Sequence, residues 1–587
     1  MAKIKSNIML INRHYIKLLA TFAISSLFVL IYITVQSIQN TPIPQNTLLK
    51  LQHDLETTIS TKNQLISDLT IVKCRSFKFC QIPPGYVTIN PSMTFYKYAS
   101  AASATTSQSK KKLYEYEYYL AVKLSTLDET TRIVSGLSLD KEDGYELIKV
   151  NGKEDHRFIK LYKKFVINNT EQPLSRDTPL LRSIDVLFGS NDLIDSRKFH
   201  RTLHLSNEEA VHPILSISMM SIQEQEEYQQ QLAQDAKTVI KQDQILRISQ
   251  DKYKVMQLSD LHFGQDLGRC STGTTDVKCS SDLKTLKFIE TTIQQEHPDL
   301  IVITGDLIDV ERSLDYKSIL LKSLQPILAS NTKFIYTFGD EVSNKEDKST
   351  IVEFLSSLPS CLNTFVPFAD SNLHGVTNDN LQICNTLVKG KGGKRAKDEE
   401  TIEEQTVSIT ILDSQDHLID DTQINYLYRI NNEFTSSDYK LLFFHYPIPQ
   451  YRPAGTFKIV GSYNEKHPLD TKTNIKFHDD IINCRYNVLS VGHEHENDAC
   501  ILSELSKQPL DKGGAKTEDT TTPLPSIWLC YNSITGDSGI TAINEQYVRK
   551  IRLFEVDFEK KRILSWKRKE NDKDVLEPQL IYQKEDK

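Results

Sequence analysis

The second half of this 587-residue chain is predicted to be an α/β domain built on a mixed or parallel sheet. Three observations predict it: apolar, β-branched runs alternate with helical patterns, each run ends in polar residues, and those residues are Asp, His and Glu. The run YKVMQLSD, opening at Tyr253, ends in Asp260-Leu261-His262. Leu283, Leu286, Ile289 and Ile293 then recur at helical spacing, before the apolar run 300–303 delivers Thr304-Gly305-Asp306. Another helical stretch leads to KFIYTF and Gly339-Asp340-Glu341. LLFFHYP delivers His445, and NVLSVGHEHEN delivers His493 and His495. Ligands of open α/β sheets bind beyond the carboxyl ends of strands, so these five ends are expected to converge on one site.

Composition bounds the rest. Lys plus Arg number 70 against 77 Asp plus Glu, a formal charge of −7, with 25% charged and 39% hydrophobic residues. That balance excludes a wholly disordered chain and a polytopic membrane protein. It also argues against a strongly basic nucleic-acid binder, so no nucleic-acid partner is expected.

The N-terminus departs from the average. Residues 1–17 form a basic tail carrying Lys3, Lys5, Arg13 and Lys17, and residues 18–35 contain no charged side chain. As a helix that run would reach about 27 Å, enough to span a bilayer core. It exceeds the apolar core of a cleaved signal, about 7–15 residues, so an uncleaved transmembrane signal anchor is expected. Cleavage near Val35-Gln36-Ser37 is the alternative. A basic flank stays cytosolic. The expectation is a single-pass type II protein held in the lipid bilayer, its α/β domain lumenal or extracellular in the endomembrane system.

Residues 36–73 read as a stem and helical stalk. Leu48, Leu51, Leu55, Leu65 and Leu69 fall on heptad-like spacing, which allows a weak dimer through the stalk. Residues 74–220 are rich in short Tyr, Val and Ile segments such as YEYEYYLAVKLS and read as a smaller β-rich N-terminal domain. Asn168-Asn169-Thr170 is a glycosylation sequon, informative only if that domain is lumenal. Residues 221–252 read as a helical linker, 253–568 as the α/β domain and 569–587 as a polar tail. Residues 389–404 and 503–525 read as solvated insertions, because neither can bury an apolar face.

The strand-end residues suit metals. Two divalent cations a few ångströms apart repel, so a carboxylate must bridge them, while neutral imidazoles fill other positions without excess charge. Carboxylate and imidazole donors fit manganese, zinc or iron, and no cysteine stands in these motifs. Paired metals activate water and hold a phosphoryl group for in-line attack. Asp-x-His alone is a weak signal and Gly-His-x-His a stronger one; all five in order make a structural coincidence hard to sustain.

Asp260-x-His262, Gly305-Asp306, His445 and Gly492-His493-x-His495 resemble the calcineurin-like metallophosphoesterase superfamily. LSDLHFG, VITGDLID, ILDS, FFHYPIPQYR, LSVGHEHENDAC and IWLCYNS resemble its fungal membrane-anchored branch and the related plant purple-acid-phosphatase-like proteins. The resemblance implies a four-layer α/β sandwich holding two divalent metal ions, and a phosphatase acting on a phosphomonoester of a protein or small molecule. One metal would take Asp260, His262, Asp306 and His495; the second would share Asp306 and take His445 and His493. Leu307-Ile308-Asp309 follows Asp306 without the Tyr of purple enzymes, so a purple ferric centre is not implied.

The third motif departs from that pattern. The family has Gly-Asn-His followed by Asp or Glu, its Asn a ligand and its His an aid to phosphoryl transfer; here Gly339-Asp340-Glu341 stands instead. Asp340 is expected to replace the Asn as a ligand. Glu341 is the candidate catalytic proton donor, provided burial or a neighbouring carboxylate raises its pKa. Loss of a positioned general acid typically costs about 10²–10⁴-fold. A pseudophosphatase that binds a phosphorylated partner is therefore the alternative reading. A second departure is Asn532-Ser533, where relatives carry a glycine-rich turn. Arg452, seven residues after His445, is the candidate for substrate phosphate, with an ordinary ion pair as its alternative.

Spacing among the nine cysteines suggests Cys74 with Cys80, Cys270 with Cys279, Cys361 with Cys384 and Cys500 with Cys530, leaving Cys484 odd. Such bridges favour a lumenal or extracellular domain, and free buried thiols are the alternative.

Overall fold

The computed structural model describes residues 64–585, apart from 76–79, 95–115, 128–131, 155–158, 169–172, 207–210, 229, 231–244, 265–267, 269, 271–279, 310–314, 343–344, 364–372, 390–400, 436, 506–523 and 538–546. The expected anchor at 18–35 lies outside these residues, as do most of the stem and part of the sequon. Among the described residues no helix is long and apolar enough to cross a membrane.

The N-terminal part is built from three-stranded antiparallel sheets. One holds β1 (Gln64–Arg75), β2 (Val87–Ile89) and β3 (Tyr116–Thr126); the next β4 (Arg132–Ser138), β5 (Tyr145–Leu147) and β6 (Tyr162–Ile167). The last holds β7 (Leu180–Gly189), β8 (His200–His204) and β9 (His212–Met220). Alternate residues of β1, β3, β7 and β9, among them Leu69, Ile71, Leu120, Val122, Ile184, Val186, Leu215 and Ile217, point into one shared core. Leu65 and Leu69, expected on a helical stalk, belong to β1 instead. Pairing with β3 decides for the strand, and the irregularity between Ile66 and Asp68 sends Leu65 and Leu69 into different hydrophobic clusters.

The C-terminal part holds two larger sheets. The first runs, in spatial order, β10 (Ile245–Ile248), β14 (Asp379–Lys389), β15 (Thr401–Ile411), β16 (Tyr439–Phe443), β18 (Val488–Val491), β20 (Ser526–Tyr531), β19 (Cys500–Glu504) and β17 (Ile459–Val460). The second runs β13 (Lys333–Thr337), β12 (Leu300–Thr304), β11 (Lys252–Leu258), β21 (Lys550–Asp557), β22 (Arg562–Lys569) and β23 (Val575–Gln583). The named helices are α1 (Ser281–Glu296), α2 (Tyr316–Ser330), α3 (Lys345–Ser356), α4 (Asp421–Glu433) and α5 (Phe477–Asn483).

Side-chain alternation builds the layers. Leu441 and Phe443 of β16 meet Val255, Val302 and Phe554 of the other sheet in a central core. Leu442 and Phe444 turn the opposite way, onto Leu427 of α4 and Phe477 and Ile481 of α5. On the far side β11, β12 and β13 are parallel, so α1 and α2 return as crossovers over the six-stranded sheet. Glu296 at the end of α1 accepts hydrogen bonds from Lys254 Nζ (2.8 Å) and Trp566 Nε1 (3.0 Å), which lays that helix on β11 and β22. The result is the four-layer arrangement that the resemblance implied.

Three boundaries differ from the sequence reading. Residues 245–248 of the expected linker form strand β10, because Leu246 and Ile248 pack on the central core. The expected polar tail contains β23, whose Ile581 reaches that same core with Tyr582 packed against it. Thr401–Ile411 opens within the expected surface insertion, since pairing with β14 satisfies the backbone of 401–404. The rest of that insertion, at 390–400, lies outside the described residues.

Disulfides join Cys74 to Cys80 and Cys500 to Cys530. Cys270 is also bridged, and its expected partner Cys279 lies outside the described residues. Cys361 and Cys384 are free, against expectation, as is the odd Cys484. Cys384 lies within β14, whereas Cys361 follows α3, where its main chain bridges to Phe334 of β13, so the two sit against different sheets.

Candidate metal centre

The loops beyond β11 and β12 stay paired after the strands end. Asp260 N donates to Gly305 O (3.1 Å), and Leu261 N and His262 N both donate to Asp306 O (2.8 and 2.9 Å). This zipper forces left-handed backbone on Asp260, His262 and Asp306, and His493 shares that conformation. Such strain in four non-glycine residues persists only where neighbouring structure over-determines it, and it clusters at functional sites. Two glycines permit the close approach. A Cβ at Gly305 would lie 2.5 Å from Gly339 Cα, and one at Gly492 would lie 1.9 Å from Ser259 Oγ.

Side chains from five strand ends meet above this zipper. Asp306 Oδ2 lies 3.7 Å from His262 Nε2 and 3.6 Å from His445 Nε2, so one carboxylate oxygen faces both halves of the cluster. His495 Nε2 lies 3.6 Å from Asp260 Oδ1. Asp340 Oδ2 lies 3.2 Å from His493 Nδ1 and 3.8 Å from His445 Nε2. Three triads have donor atoms close enough to share a cation: Asp260, His262 and His495; Asp260, Asp306 and His445; and Asp340, His445 and His493. All seven expected ligands are thus brought together, Asp340 among them.

Donor chemistry fits a metal. His445 Nδ1 lies 2.9 Å from Thr304 O; donating there turns the lone pair of Nε2 into the cluster. His262 Nε2 and His445 Nε2 are both buried without a hydrogen-bond partner among the described residues, a costly state that a cation would relieve. Burial disfavours the charged His445 ring, yet Asp306, Asp260, Asp340 and Glu341 outweigh it and push its pKa up to about 9. His262 behaves oppositely: burial, with His495 beside it, lowers it to about 4. Burial also works against the Asp340 carboxylate, but His493, His445 and His417 hold it well below the usual range. Cations would satisfy this carboxylate field.

Two expected roles change. Burial and the Asp306 carboxylate push Glu341 up to about 7, the condition set for a proton donor. However, its Oε2 accepts from Gly339 N (2.7 Å) and Asp306 N (3.2 Å), and its Oε1 accepts from Tyr336 Oη. Glu341 is therefore committed to holding the second and third strand-end turns together. Arg452 is likewise committed: its guanidinium contacts Glu494 and donates to Tyr531 Oη (2.7 Å) and His467 O (2.7 Å). It braces the Gly-His-x-His loop through Glu494, which is the ion-pair alternative.

Asn532 and Ser533 belong to a loop laced onto the site. Asn532 N donates to Val491 O (2.8 Å), Ile534 N to His495 O (3.0 Å), and Gly536 N to Asp260 O (3.1 Å). Sequence reasoning missed His417 and Tyr446, whose rings stack 3.7 Å apart beside Asp340 and His493. His417 follows the ILDS run by three residues and has no strand of its own, so no periodicity marked it.

The calcineurin-like phosphoesterase family matches residues 253–497. Protein SIA1 of Kluyveromyces lactis is 31% identical over 322 residues, 54% of this chain and 48% of that protein. Phosphatase DCR2 of Saccharomyces cerevisiae is 27% identical over 346 residues, 54% of each. Probable inactive purple acid phosphatase 14 of Arabidopsis thaliana is 24% identical over 383 residues, 58% of this chain and 86% of that protein. The chain spans about half the length of the two fungal relatives. With the strand-end ligands, the sandwich and these matches together, the domain of residues 253–497 belongs to the calcineurin-like phosphoesterase family, and over about half its length the chain is similar to these fungal proteins and to the purple-acid-phosphatase-like proteins of plants.

Proposed function

We propose that this protein is a membrane-anchored, metal-dependent phosphomonoesterase. One observation carries the reading: Asp306 presents a single carboxylate oxygen to His262 and His445, at 3.7 and 3.6 Å, as a residue bridging two cations would. Asp260, His262, Asp306 and His495 would hold one metal, and Asp306, Asp340, His445 and His493 the other. Divalent metals bound there supply Lewis-acid polarisation of a phosphoryl oxygen and activation of water. The chain's own contribution is to fix the donors. Thr304 orients the His445 ring, Glu341 ties two turns, and Arg452 with Glu494 stiffens the loop of His493 and His495.

A specific observation favours a second reading, a pseudophosphatase binding a phosphorylated partner. Asp340 and Glu341 stand where the family has Asn-His, and both oxygens of Glu341 are already engaged. The Arabidopsis relative is named as probably inactive. The deciding experiment is hydrolysis of an aryl phosphate by the full chain with manganese, zinc or iron, against His493→Ala. Turnover abolished by His493→Ala supports the enzyme; none in either protein leaves the pseudophosphatase.

The apolar run 18–35 supports a single-pass type II anchor, and the Cys74–Cys80 and Cys500–Cys530 bridges are consistent with an oxidising lumenal or extracellular side. Extraction of the protein from membranes by alkaline carbonate would overturn the anchor.

A further inference from the structure

His417 sits in a short 3₁₀ turn (Gln415–His417) where both Asp416 and His417 take left-handed backbone. Its ring is held from several directions. Tyr446 stacks on it at 3.7 Å, with the planes 11° apart. Nδ1 lies 3.0 Å from Asp470 O, while Asp470 N donates to Tyr446 Oη at 3.1 Å, so the stack and the segment around 470 lock one another. The backbone is fixed as well, since His417 O accepts from Lys472 N (2.9 Å) and Thr471 Oγ1 (3.3 Å).

What remains is Nε2, 3.4 Å from Asp340 Oδ1. The other oxygen of that carboxylate faces His493 and His445. Nε2 therefore stands on the outer side of Asp340, while the ligand atoms stand on the inner side. The His417 ring is 28% exposed and Asp340 37%, against 0% for His445, so this is the open edge of the cluster. A side chain ordered before any ligand arrives loses little rotamer freedom on binding.

We propose that His417 is a substrate-contact residue: with Nδ1 donating to Asp470 O, its Nε2 is left to accept a hydrogen bond from a protonated oxygen of the phosphate group held at the metal cluster, with Tyr446 as the residue that positions it. The inference rests on the phosphoesterase reading. One hydrogen bond to a charged group is typically worth about 10- to 100-fold in affinity.

The test is isothermal titration of the full-length, manganese-loaded protein with inorganic phosphate, with metal content measured on the same samples. His417→Ala is expected to weaken phosphate binding about tenfold or more with two metals retained. His417→Gln, which keeps a polar group in much the same space, is expected to recover part of it, and serves as the informative variant where Ala disturbs the neighbouring segment. Phosphate affinity unchanged in both variants overturns this inference alone. Loss of metal in both variants also overturns it, because His417 would then act on the metals. No phosphate binding by the unmodified protein overturns the phosphoesterase reading and this inference with it.

Discussion

Asp340 Oδ2 lies 3.2 Å from His493 Nδ1, joining the third strand end to the fifth through a carboxylate where the family pattern has an amide. A carboxylate attracts a cation more strongly than an amide does and repels a phosphate dianion. Asp340→Asn is therefore expected to weaken metal binding by roughly tenfold or more, about 1.4 kcal/mol, while lowering the KM for an aryl phosphate. Asp340→Ala is expected to leave about one metal per chain. Metal analysis and steady-state kinetics check both; an unchanged metal content in Asp340→Ala would remove Asp340 from the ligand set.

Lys348 of α3 and Asp413 beyond β15 form an ion pair whose side chains are both fully buried, with Nζ 2.9 and 3.1 Å from the carboxylate oxygens. Asp413 also accepts from Val376 N at 2.9 Å. Removing one partner strands the other charge, so Asp413→Ala is expected to cost about 3–5 kcal/mol in denaturant unfolding. The double change Lys348→Met with Asp413→Leu is expected to cost much less. Equal losses in the single and double variants would contradict this account.

The N-terminal sheets meet the phosphoesterase domain at α2. Lys317 Nζ lies 2.8 Å from Asp185 Oδ1, Arg197 contacts Asp185 and Asp195, and Phe188 N donates to Ser318 Oγ at 2.9 Å. Burial alone would raise the Asp185 carboxyl, but Lys317 and Arg197 hold it well below the usual carboxylate range; Asp195 is lowered against burial by Arg197. Depressed carboxyls contribute their stability in full above the unfolded value, about 3.9, and lose it as pH falls toward the folded values. Thermal melts are expected to fall steeply as pH drops from about 4 to about 2. Asp185→Asn should be less stable at pH 7 and lose less over that range; parallel curves would reject the network as the cause.

Among the described residues Cys361, Cys384 and Cys484 are free, while Cys74, Cys80, Cys270, Cys500 and Cys530 are bridged. With Cys270 and Cys279 paired as expected, alkylation under denaturing, non-reducing conditions adds three labels, and prior reduction raises the total to the nine cysteines of the chain. Five labels before reduction would show that Cys270 and Cys279 do not pair. Nine before reduction would count against an oxidising compartment.

The strand-end ligands were legible because each is a local event: an apolar run stops, and a carboxylate or imidazole follows. Asp260, His262, Asp306, Asp340, His445, His493 and His495 all satisfy that description, and all seven converge. The β1, β10 and β23 segments are not legible as strands because each borders a polar stretch, so its apolar residues read as part of the neighbouring stalk, linker or tail. Leu65 and Leu69 fit a helical spacing, but the partner strand and the irregularity between Ile66 and Asp68 place them in different clusters of a β sheet.

By itself, the sequence determined the α/β alternation, the order of the strand ends and the ligand types, since these depend on residues adjacent in the chain. Tertiary structure alone decided what else occupies the space around those ligands. Glu341 has the raised pKa sought for it, yet Tyr336, Gly339 and Asp306 already occupy its oxygens. Arg452 is spent on Glu494, and His417 arrives at Asp340 from a turn that no periodicity marked. A motif fixes which donor a residue offers; the contacts of residues distant in sequence fix which atom is left to offer it.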